Sequence, residues 1–252
     1  MLYRYVKANT LAEGVESALR ELHENGEVYT GENQDRADHV KEISLVLNVL
    51  NPLAEPMISK CMPSGLKGLM EYAEEFLRGS RDFEPYWEYT YHKLYVQHYE
   101  KFIDELRRNA DTRRACMNLG GAINFENPHP PCLQLIDANI REGKLHMTAF
   151  FRSNDAVKAS AMNMFVLVLL QKQIAEELGV EVGIYTHIAE SYHAYAEDWE
   201  GLDNYLSLFR DKPMGKRVYS YEEFLRTKEK YLESYYQSVE ERKADVANKK
   251  QE

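Results

Sequence analysis

The stretch Cys132–Asp155, CLQLIDANIREGKLHMTAFFRSND, decides the fold that this sequence predicts. Two runs of β-favouring residues, Leu133–Ile140 and Lys144–Phe151, flank a three-residue turn that ends in glycine, and this pattern is typical of a β-hairpin. The second strand of a hairpin runs back alongside the first, so Arg152 returns towards Cys132. The sequence therefore predicts a strand pair that carries a cysteine and an arginine at one end.

Segments on both sides of this hairpin predict an α/β (α+β) fold. The apolar run Ala156–Leu178 is long enough for a buried helix, and Val182–His193 returns to strand character. Capping and periodicity signals predict further elements: a strand over Ile43–Leu50 and helices that begin near Thr10, Ser64, Lys93 and Ser220. We find no linker or internal repeat. Residues 1–252 are interpreted as one domain, with a charged helix and tail over about 220–252.

Composition and charge limit the possible classes of function. With 44% hydrophobic residues the chain can bury a sizeable core, and no apolar run approaches the roughly 20 residues of a membrane span. Met1–Asn9 has no hydrophobic signal core. Three cysteines without the close spacing of a metal site suit a reduced compartment, so we expect a cytoplasmic protein without a metal centre. A formal net charge of −10 argues against DNA binding but not against nucleotide binding.

Four polar residues follow one another at fixed distances through the central region. Cys132, Arg152, Asn163 and His193 are separated by 20, 11 and 30 positions. In order and spacing this set resembles the thymidylate synthase family without a gap. The resemblance is good over residues 111–195, looser over residues 36–91, and does not extend to the C-terminal helix.

Cys132 resembles the nucleophile with which the family attacks C6 of a pyrimidine ring, and this addition turns C5 into a nucleophile. A lone cysteine at the start of a strand is more often an inert apolar residue. We expect otherwise here because a neighbouring guanidinium stabilises a thiolate, so Arg152 should lower the thiol pKa towards neutrality. Cys61 and Cys116 lack such a neighbour and are interpreted as structural.

Three further residues resemble catalytic positions of the family. Tyr91 resembles an active-site tyrosine, and Asp155 resembles the aspartate at the junction of base and cofactor, although an aspartate before a helix is also an ordinary N-cap. The family has a glutamate in an early helix that organises water and proton transfer. Counting back from Gly79 places Tyr72 at that position, and Glu71, one residue earlier, is the candidate carboxylate.

Several residues resemble the family's phosphate ligands. Arg152 and Ser153 resemble ligands within one subunit, whereas Arg113 and Arg114 resemble an arginine pair that reaches the same phosphate across a dimer interface. Arg36 resembles a further phosphate arginine. Guanidinium groups suit a dianion because each can donate two parallel hydrogen bonds. The ordinary alternative for a charged side chain is a solvated position on the surface.

Other positions resemble the family's ligands for base and sugar. Asn163 lies in an apolar run, where a buried amide needs partners, and a uracil edge would supply them. A flipped amide would suit cytosine, and a buried asparagine can also be satisfied by backbone groups. His193 and Tyr195 occupy alternate strand positions, so they share one face, and they resemble the pair that binds the sugar 3′-hydroxyl. Such alternation is also common in simple sheet packing.

The resemblance implies a large mixed β-sheet with helices on one face and a sheet-to-sheet homodimer with shared active sites. It implies transfer of a one-carbon unit from 5,10-methylenetetrahydrofolate, or a modified tetrahydropterin, to C5 of dUMP, giving dTMP. The family's hydrophobic C-terminal closing segment has no counterpart in the polar residues 247–252. A dUMP, dCMP or CMP 5-hydroxymethylase therefore stays open, since water in place of hydride gives that product. A third alternative is a catalytically inactive relative that binds nucleotide.

Overall fold

The computed structural model describes residues 2–30, 39–85, 89–121 and 129–249. Arg36, a predicted phosphate ligand, lies outside these residues. The strands are β1 (Tyr3–Ala8), β2 (Glu27–Thr30), β3 (His39–Val49), β4 (Ile58–Ser59), β5 (Cys116–Asn118), β6 (Leu133–Arg141), β7 (Lys144–Asp155), β8 (Glu181–Tyr195) and β9 (Val218–Tyr219). The α-helices are α1 (Leu11–Asn25), α2 (Gly65–Arg78), α3 (Tyr91–Arg108), α4 (Ser160–Leu178), α5 (Trp199–Asp211) and α6 (Tyr221–Lys249).

One large mixed sheet organises these elements. Its strand order is β1-β3-β8-β7-β6-β5, and β2 pairs with the start of β3. The pairs β1–β3 and β7–β8 are parallel, whereas β3–β8, β7–β6 and β6–β5 are antiparallel. The predicted hairpin is the β6–β7 pair, and α4 forms the crossover between the parallel strands β7 and β8. The predicted mixed α/β fold is confirmed.

Helices α1 and α4 cover one face of this sheet. In β7, Met147, Ala149 and Phe151 are fully buried, whereas Thr148 and Phe150 between them are partly exposed. Successive side chains of a strand point to opposite faces, so the buried set marks the covered face. Helix α4 is apolar around most of its circumference because the sheet encloses it on one side and other helices on the other. Within the described ranges, no helix is long and apolar enough to cross a lipid bilayer.

The opposite face of the sheet carries a row of apolar side chains. Strand register aligns Tyr5, Val46, Ile188, Phe150 and Leu135 across five neighbouring strands. Each of these side chains is partly or largely exposed in the single chain. A contiguous exposed apolar patch is typical of a surface that another protein surface covers.

The C-terminal helix α6 packs against α2. It begins as predicted with a capping box, in which the Glu223 amide donates to the Ser220 hydroxyl at 3.1 Å and the Ser220 amide donates to the Glu223 carboxylate at 2.7 Å. Near its end, Arg242 Nη1 lies 2.7 Å from a carboxylate oxygen of Glu84, which is almost fully buried. This ion pair holds the helix against the segment that follows α2.

A buried ion pair joins α1 to the segment before β9. Arg217 Nε lies 2.8 Å from Glu16 Oε2, and the two side chains are only 12% and 3% exposed. Burial raises the pKa of the Glu16 carboxyl, and the Arg217 guanidinium opposes that rise. The arginine therefore compensates for much of the cost of burying this carboxylate.

Replacing Arg217 by alanine should destabilise the fold by about 3 kcal/mol at pH 7.5, because it leaves an unpaired buried carboxylate. The loss should shrink at pH 5. Without the arginine the pKa of folded Glu16 rises further, and a group with a raised folded pKa favours the folded state more strongly as the pH falls. Urea denaturation at both pH values measures the difference. Arg210→Ala is the control, because the Arg210 side chain is 74% exposed and pairs only at the surface. Equal losses in both variants would contradict the assignment.

Candidate active site

The β6–β7 hairpin brings Arg152 to Cys132. The Arg152 amide donates to the Cys132 carbonyl at 3.0 Å, and Arg152 Nη2 lies 3.9 Å from Cys132 Sγ. The same guanidinium donates to the carbonyls of Pro130 at 2.6 Å and Pro131 at 3.1 Å. The predicted proximity of the two residues is confirmed, and the preceding proline carbonyls fix the orientation of the arginine.

The predicted fall of the Cys132 pKa is wrong for the free protein. Burial raises the pKa of this thiol, and the Asp155 carboxylate adds to the rise. Arg152 and a hydrogen bond from Tyr91 act in the opposite direction without reversing it. The reason is partial burial, together with a guanidinium that also donates to two backbone carbonyls. Cys132 is therefore a thiol at neutral pH in the unliganded chain.

A pocket of about 280 Å³ opens beside Cys132. Its lining comes from α2, the first residue of α3, the hairpin and the start of α4. The lining residues are Tyr72, Tyr91, Cys132, Ser153, Asn154, Asp155, Lys158, Ala159, Met162 and Asn163. Five of the residues predicted from the sequence thus meet in one pocket: Tyr91, Cys132, Ser153, Asp155 and Asn163.

Tyr91 connects helix α3 to the nucleophile. Its hydroxyl accepts a hydrogen bond from the Leu133 amide at 3.3 Å and is also hydrogen-bonded to the Cys132 thiol. Thr90 caps the helix by accepting from the Lys93 amide at 3.2 Å, which fixes the first turn of α3 and therefore Tyr91. Sequence reasoning missed Tyr89, whose hydroxyl is hydrogen-bonded to the backbone of Cys132.

Asn163 is held by Tyr72 across the pocket. The Tyr72 hydroxyl donates to Asn163 Oδ1 at 2.5 Å. The candidate Glu71 does not enter this pocket, because its side chain points to an adjoining cavity and lies 3.7 Å from Lys67 Nζ. The sequence signal for Tyr72 was the count back from Gly79, which places Tyr72, and not Glu71, at the position of the family's glutamate.

Asp155 both ends β7 and lines the pocket. Its Oδ1 accepts from the amides of Val157 at 3.0 Å and Lys158 at 2.8 Å. These bonds stabilise the turn before α4, whose own N-cap residue is Ala159. The capping alternative thus holds in altered form, since Asp155 caps the preceding turn and not the helix itself.

Four further predicted ligands are not among the residues that line this pocket in the single chain. His193 and Tyr195 occupy the end of β8, with ring centroids 4.9 Å apart, and the Cα of His193 is paired with that of Asp155 in the sheet. Arg113 and Arg114 are exposed just before β5, at the edge of the sheet. Neither pair is among the residues that line the pocket.

The chain has the mixed-sheet fold of a solved thymidylate synthase. Thermostable thymidylate synthase A from Bacillus subtilis matches with a TM-score of 0.62 over 79% of this chain and 84% of that one. Only 17% of the aligned residues are identical, so this likeness concerns the fold alone.

Sequence comparison gives the family. The family profile described as Thymidylate synthase matches residues 71–224. A proposed thymidylate synthase of Methanocaldococcus jannaschii is 30% identical over 213 residues, which are 79% of this chain and 95% of that protein. A proposed thymidylate synthase of Methanosarcina barkeri is 28% identical over 80% of this chain and 94% of that protein. The chain belongs to the thymidylate synthase family and is an enzyme of the one-carbon transferase class.

The charges around Cys132 predict opposite effects on its reactivity. Arg152→Ala should raise the thiol pKa further and slow alkylation of Cys132 at pH 8 by roughly 3- to 10-fold, whereas Asp155→Asn should accelerate it. Peptide-resolved mass spectrometry after a short pulse of iodoacetamide measures the rate at Cys132. The exposed Cys116 serves as the internal control in each variant. Faster alkylation in Arg152→Ala would show that the guanidinium does not stabilise the thiolate.

Proposed function

We propose that this enzyme transfers a one-carbon unit to C5 of dUMP and releases dTMP, as a thymidylate synthase. The observation that carries the proposal is the pocket of about 280 Å³ that Cys132 and Asn163 line together, with Arg152 Nη2 3.9 Å from Cys132 Sγ. A thiol, a fixed guanidinium and a buried amide are the groups that nucleophilic addition to a pyrimidine nucleotide requires.

Cys132 acts as the nucleophile in this proposal. Its sulfur adds to C6 of the pyrimidine, the electron pair of the C5–C6 bond moves towards O4, and C5 becomes reactive. Arg152 and the Tyr91 hydroxyl favour the thiolate form that adds to the ring, against the burial that raises the thiol pKa. All three cysteines are free, which supports the reducing, cytoplasmic compartment in which a working thiol persists.

Other residues bind and orient the nucleotide. Asn163 faces the C4 and N3 edge of the base, and Arg152 with Ser153 holds the phosphate. The guanidinium is partly exposed and already fixed by two proline carbonyls, so it loses little side-chain entropy on binding an anion. Asp155 stands between the base and the second ligand. His193 and Tyr195, at the end of β8, bind the sugar, and Arg36 completes the phosphate site.

The second ligand is 5,10-methylenetetrahydrofolate or a modified tetrahydropterin. When bound, this cofactor supplies the carbon and, for a methyl product, the hydride. A cavity of about 410 Å³ adjoins the Cys132 pocket and shares Tyr72 and Met162 with it. Residues of α2 and α6 line it, among them Glu71, Tyr235 and Arg242. Two adjoining cavities of these sizes fit a nucleotide and a pterin side by side.

The active enzyme is a homodimer with shared active sites. The apolar row from Tyr5 to Leu135 supplies a sheet face that a second copy can cover. The exposed pair Arg113 and Arg114 does not line the pocket of its own chain, which supports the assignment of both to the partner's phosphate site.

A specific observation favours hydroxymethylation of the nucleotide as a second candidate. The deoxyuridylate hydroxymethyltransferase of Pseudomonas phage M6 is 31% identical over 161 residues, which are 58% of this chain and 45% of that protein. The two reactions share the first steps and differ in whether hydride or water reaches the bound carbon.

A product assay tests the proposal. Purified enzyme with methylenetetrahydrofolate should add a methyl group to dUMP and release dihydrofolate, as measured by mass spectrometry and absorbance. A hydroxymethyl group with tetrahydrofolate released would establish the second candidate instead.

Covalent trapping tests the nucleophile. With 5-fluoro-dUMP and cofactor, the wild type should form an adduct on the Cys132 peptide. Cys132→Ser should form none, whereas Cys116→Ser should form as much as the wild type. An adduct in Cys132→Ser would overturn the assignment of the nucleophile.

The dimer is tested separately. Phe150→Asp should yield monomers in light-scattering chromatography and should abolish turnover, because it places a charge within the apolar row. Leu225→Asp, at an exposed apolar position on α6, is the matched control and should remain dimeric. Mixing equal amounts of the inactive double variant Arg113→Ala/Arg114→Ala and of Cys132→Ser should restore about a quarter of the wild-type activity, since half of all dimers are then mixed and each mixed dimer holds one complete site of two. No recovery on subunit exchange would place both arginines outside the shared site.

A further inference from the structure

We propose that Asn154 donates a hydrogen bond to a ring carbonyl of the bound pyrimidine, and that His187 and Tyr185 hold its carboxamide in the donating orientation. The inference rests on the proposed function in one respect, namely that a pyrimidine nucleotide occupies the pocket beside Cys132. Asn154 is then a ligand-binding residue. His187 and Tyr185 are positioning residues, because they act on the ligand only through Asn154.

Asn154 presents an amide nitrogen at the wall of the pocket. It lies near the end of β7, between Ser153 and Asp155, and all three residues line the pocket. Only 2% of Asn154 is exposed. Among the residues that the structure describes, none accepts a hydrogen bond from Asn154 Nδ2, yet this nitrogen is not one of the polar atoms that are sealed from solvent without a hydrogen bond. The nitrogen is therefore open to the pocket.

The oxygen of the same carboxamide is hydrogen-bonded to the core. Asn154 Oδ1 lies 3.0 Å from His187 Nε2, and His187 Nδ1 lies 2.9 Å from the Tyr185 hydroxyl. Both partners lie on β8 and are fully buried. The imidazole also stacks on the Phe151 ring, with the ring centroids 4.9 Å apart. Three polar side chains thus form one chain of hydrogen bonds from the core to the pocket.

This chain of hydrogen bonds has a direction because a neutral imidazole carries one N–H. Burial lowers the pKa of His187 to about 3, so the ring is neutral at pH 7. In one arrangement the Tyr185 hydroxyl donates to Nδ1, and Nε2–H donates to Asn154 Oδ1. In the reverse arrangement the amide is turned, Nδ1–H donates to the hydroxyl, and the hydroxyl hydrogen has no acceptor within the described ranges. A buried donor without a partner is costly, so the first arrangement is favoured and Nδ2 faces the pocket.

A donor in so enclosed a position suits a carbonyl oxygen. A phosphate dianion would lose its hydration there, and the exposed Arg152 is the proposed ligand for that group. The proposed function assigns the C4 and N3 edge of the base to Asn163. The ring carbonyl that remains is O2, which uracil and cytosine share. Asn154 should therefore contribute affinity without distinguishing the two bases.

Calorimetric titration of the intact enzyme with dUMP and with dCMP, without cofactor, measures this contribution. Asn154→Ala should weaken the binding of each nucleotide that the wild type binds by about tenfold and by the same factor. Gln171→Met is the matched control, because this buried carboxamide donates to the Leu145 carbonyl at 2.8 Å and does not line the pocket. It should leave both dissociation constants unchanged. Asn154→Ser repeats the measurement if the alanine variant does not fold.

Thio-substituted nucleotides test which carbonyl accepts the hydrogen bond. With 2-thio-dUMP, whose sulfur is a weaker acceptor than oxygen, the effect of Asn154→Ala should shrink, whereas with 4-thio-dUMP it should persist. The opposite result, or a loss of affinity for dUMP alone, would refute O2 as the acceptor.

Substitutions of His187 separate positioning from general damage. His187→Leu removes the donor to Asn154 Oδ1 and should weaken dUMP binding, whereas His187→Gln, whose side-chain amide can replace the imidazole Nε2–H, should recover most of the affinity. In an Asn154→Ala background, His187→Leu should no longer change the dissociation constant, because no carboxamide remains to be held.

A spectroscopic measurement tests the chain of hydrogen bonds without a nucleotide. The ¹⁵N chemical shifts of His187 in the labelled enzyme should show a neutral ring protonated at Nε2, with His187→Gln assigning the signals. A ring protonated at Nδ1, or equal binding of dUMP by the wild type and Asn154→Ala, would overturn the inference. An enzyme that shows the expected tautomer but binds neither nucleotide would refute the proposed function and the ligand assigned to Asn154, whereas the orientation of the amide would stand.

Discussion

The hydrogen bond from the Arg152 amide to the Cys132 carbonyl, at 3.0 Å, closes the central hairpin at its functional end. The side chains of a strand alternate between faces, so a slip of one residue in this pairing would send Arg152 towards the helices and Phe151 towards solvent. The burial of Phe151, whose ring stacks on His187 at 4.9 Å, therefore also fixes the arginine on the opposite side. Core packing and active-site geometry are consequences of one register.

The same register places charges of opposite sign around Cys132. Cys132 is pressed between a guanidinium and the carboxylate of Asp155, and burial decides the balance in favour of the neutral thiol. Arg152 meanwhile donates to proline carbonyls, which orient it without neutralising its charge. An unliganded pocket that keeps its cysteine protonated is protected from alkylation and oxidation, because the thiolate is the reactive form. The reactivity of Cys132 then depends on how a bound substrate changes the hydration and the electrostatic potential at the sulfur.

Local sequence signals predicted a large part of this structure. The hairpin, the buried helix α4 and the capping box at Ser220 each follow from residues close in sequence, and all are found. The proximity of Cys132 and Arg152 follows from the hairpin. The sign of the Cys132 pKa shift did not follow, because burial and the position of Asp155 depend on how distant segments pack. For the same reason the choice of Glu71 as the candidate carboxylate did not anticipate that Tyr72 lines the Cys132 pocket and Glu71 only the adjoining cavity, since this depends on how α2 packs against its neighbours.

In the proposed dimer, covering the apolar sheet face would stabilise the protein and complete the active site at the same time. An apolar row that crosses five strands would be costly to leave in water, and a second copy that covers it would also bring the arginines at the edge of β5 towards a neighbouring pocket. The free energy of association and the completion of the phosphate site would then come from one event. In that case the concentration of protomers sets both the folded fraction and the number of competent sites, and substrate that bridges two chains stabilises the dimer that binds it. In the proposed dimer the charges on Arg113 and Arg114 would serve the phosphate site of the partner, because within their own chain both side chains are exposed and do not line the pocket.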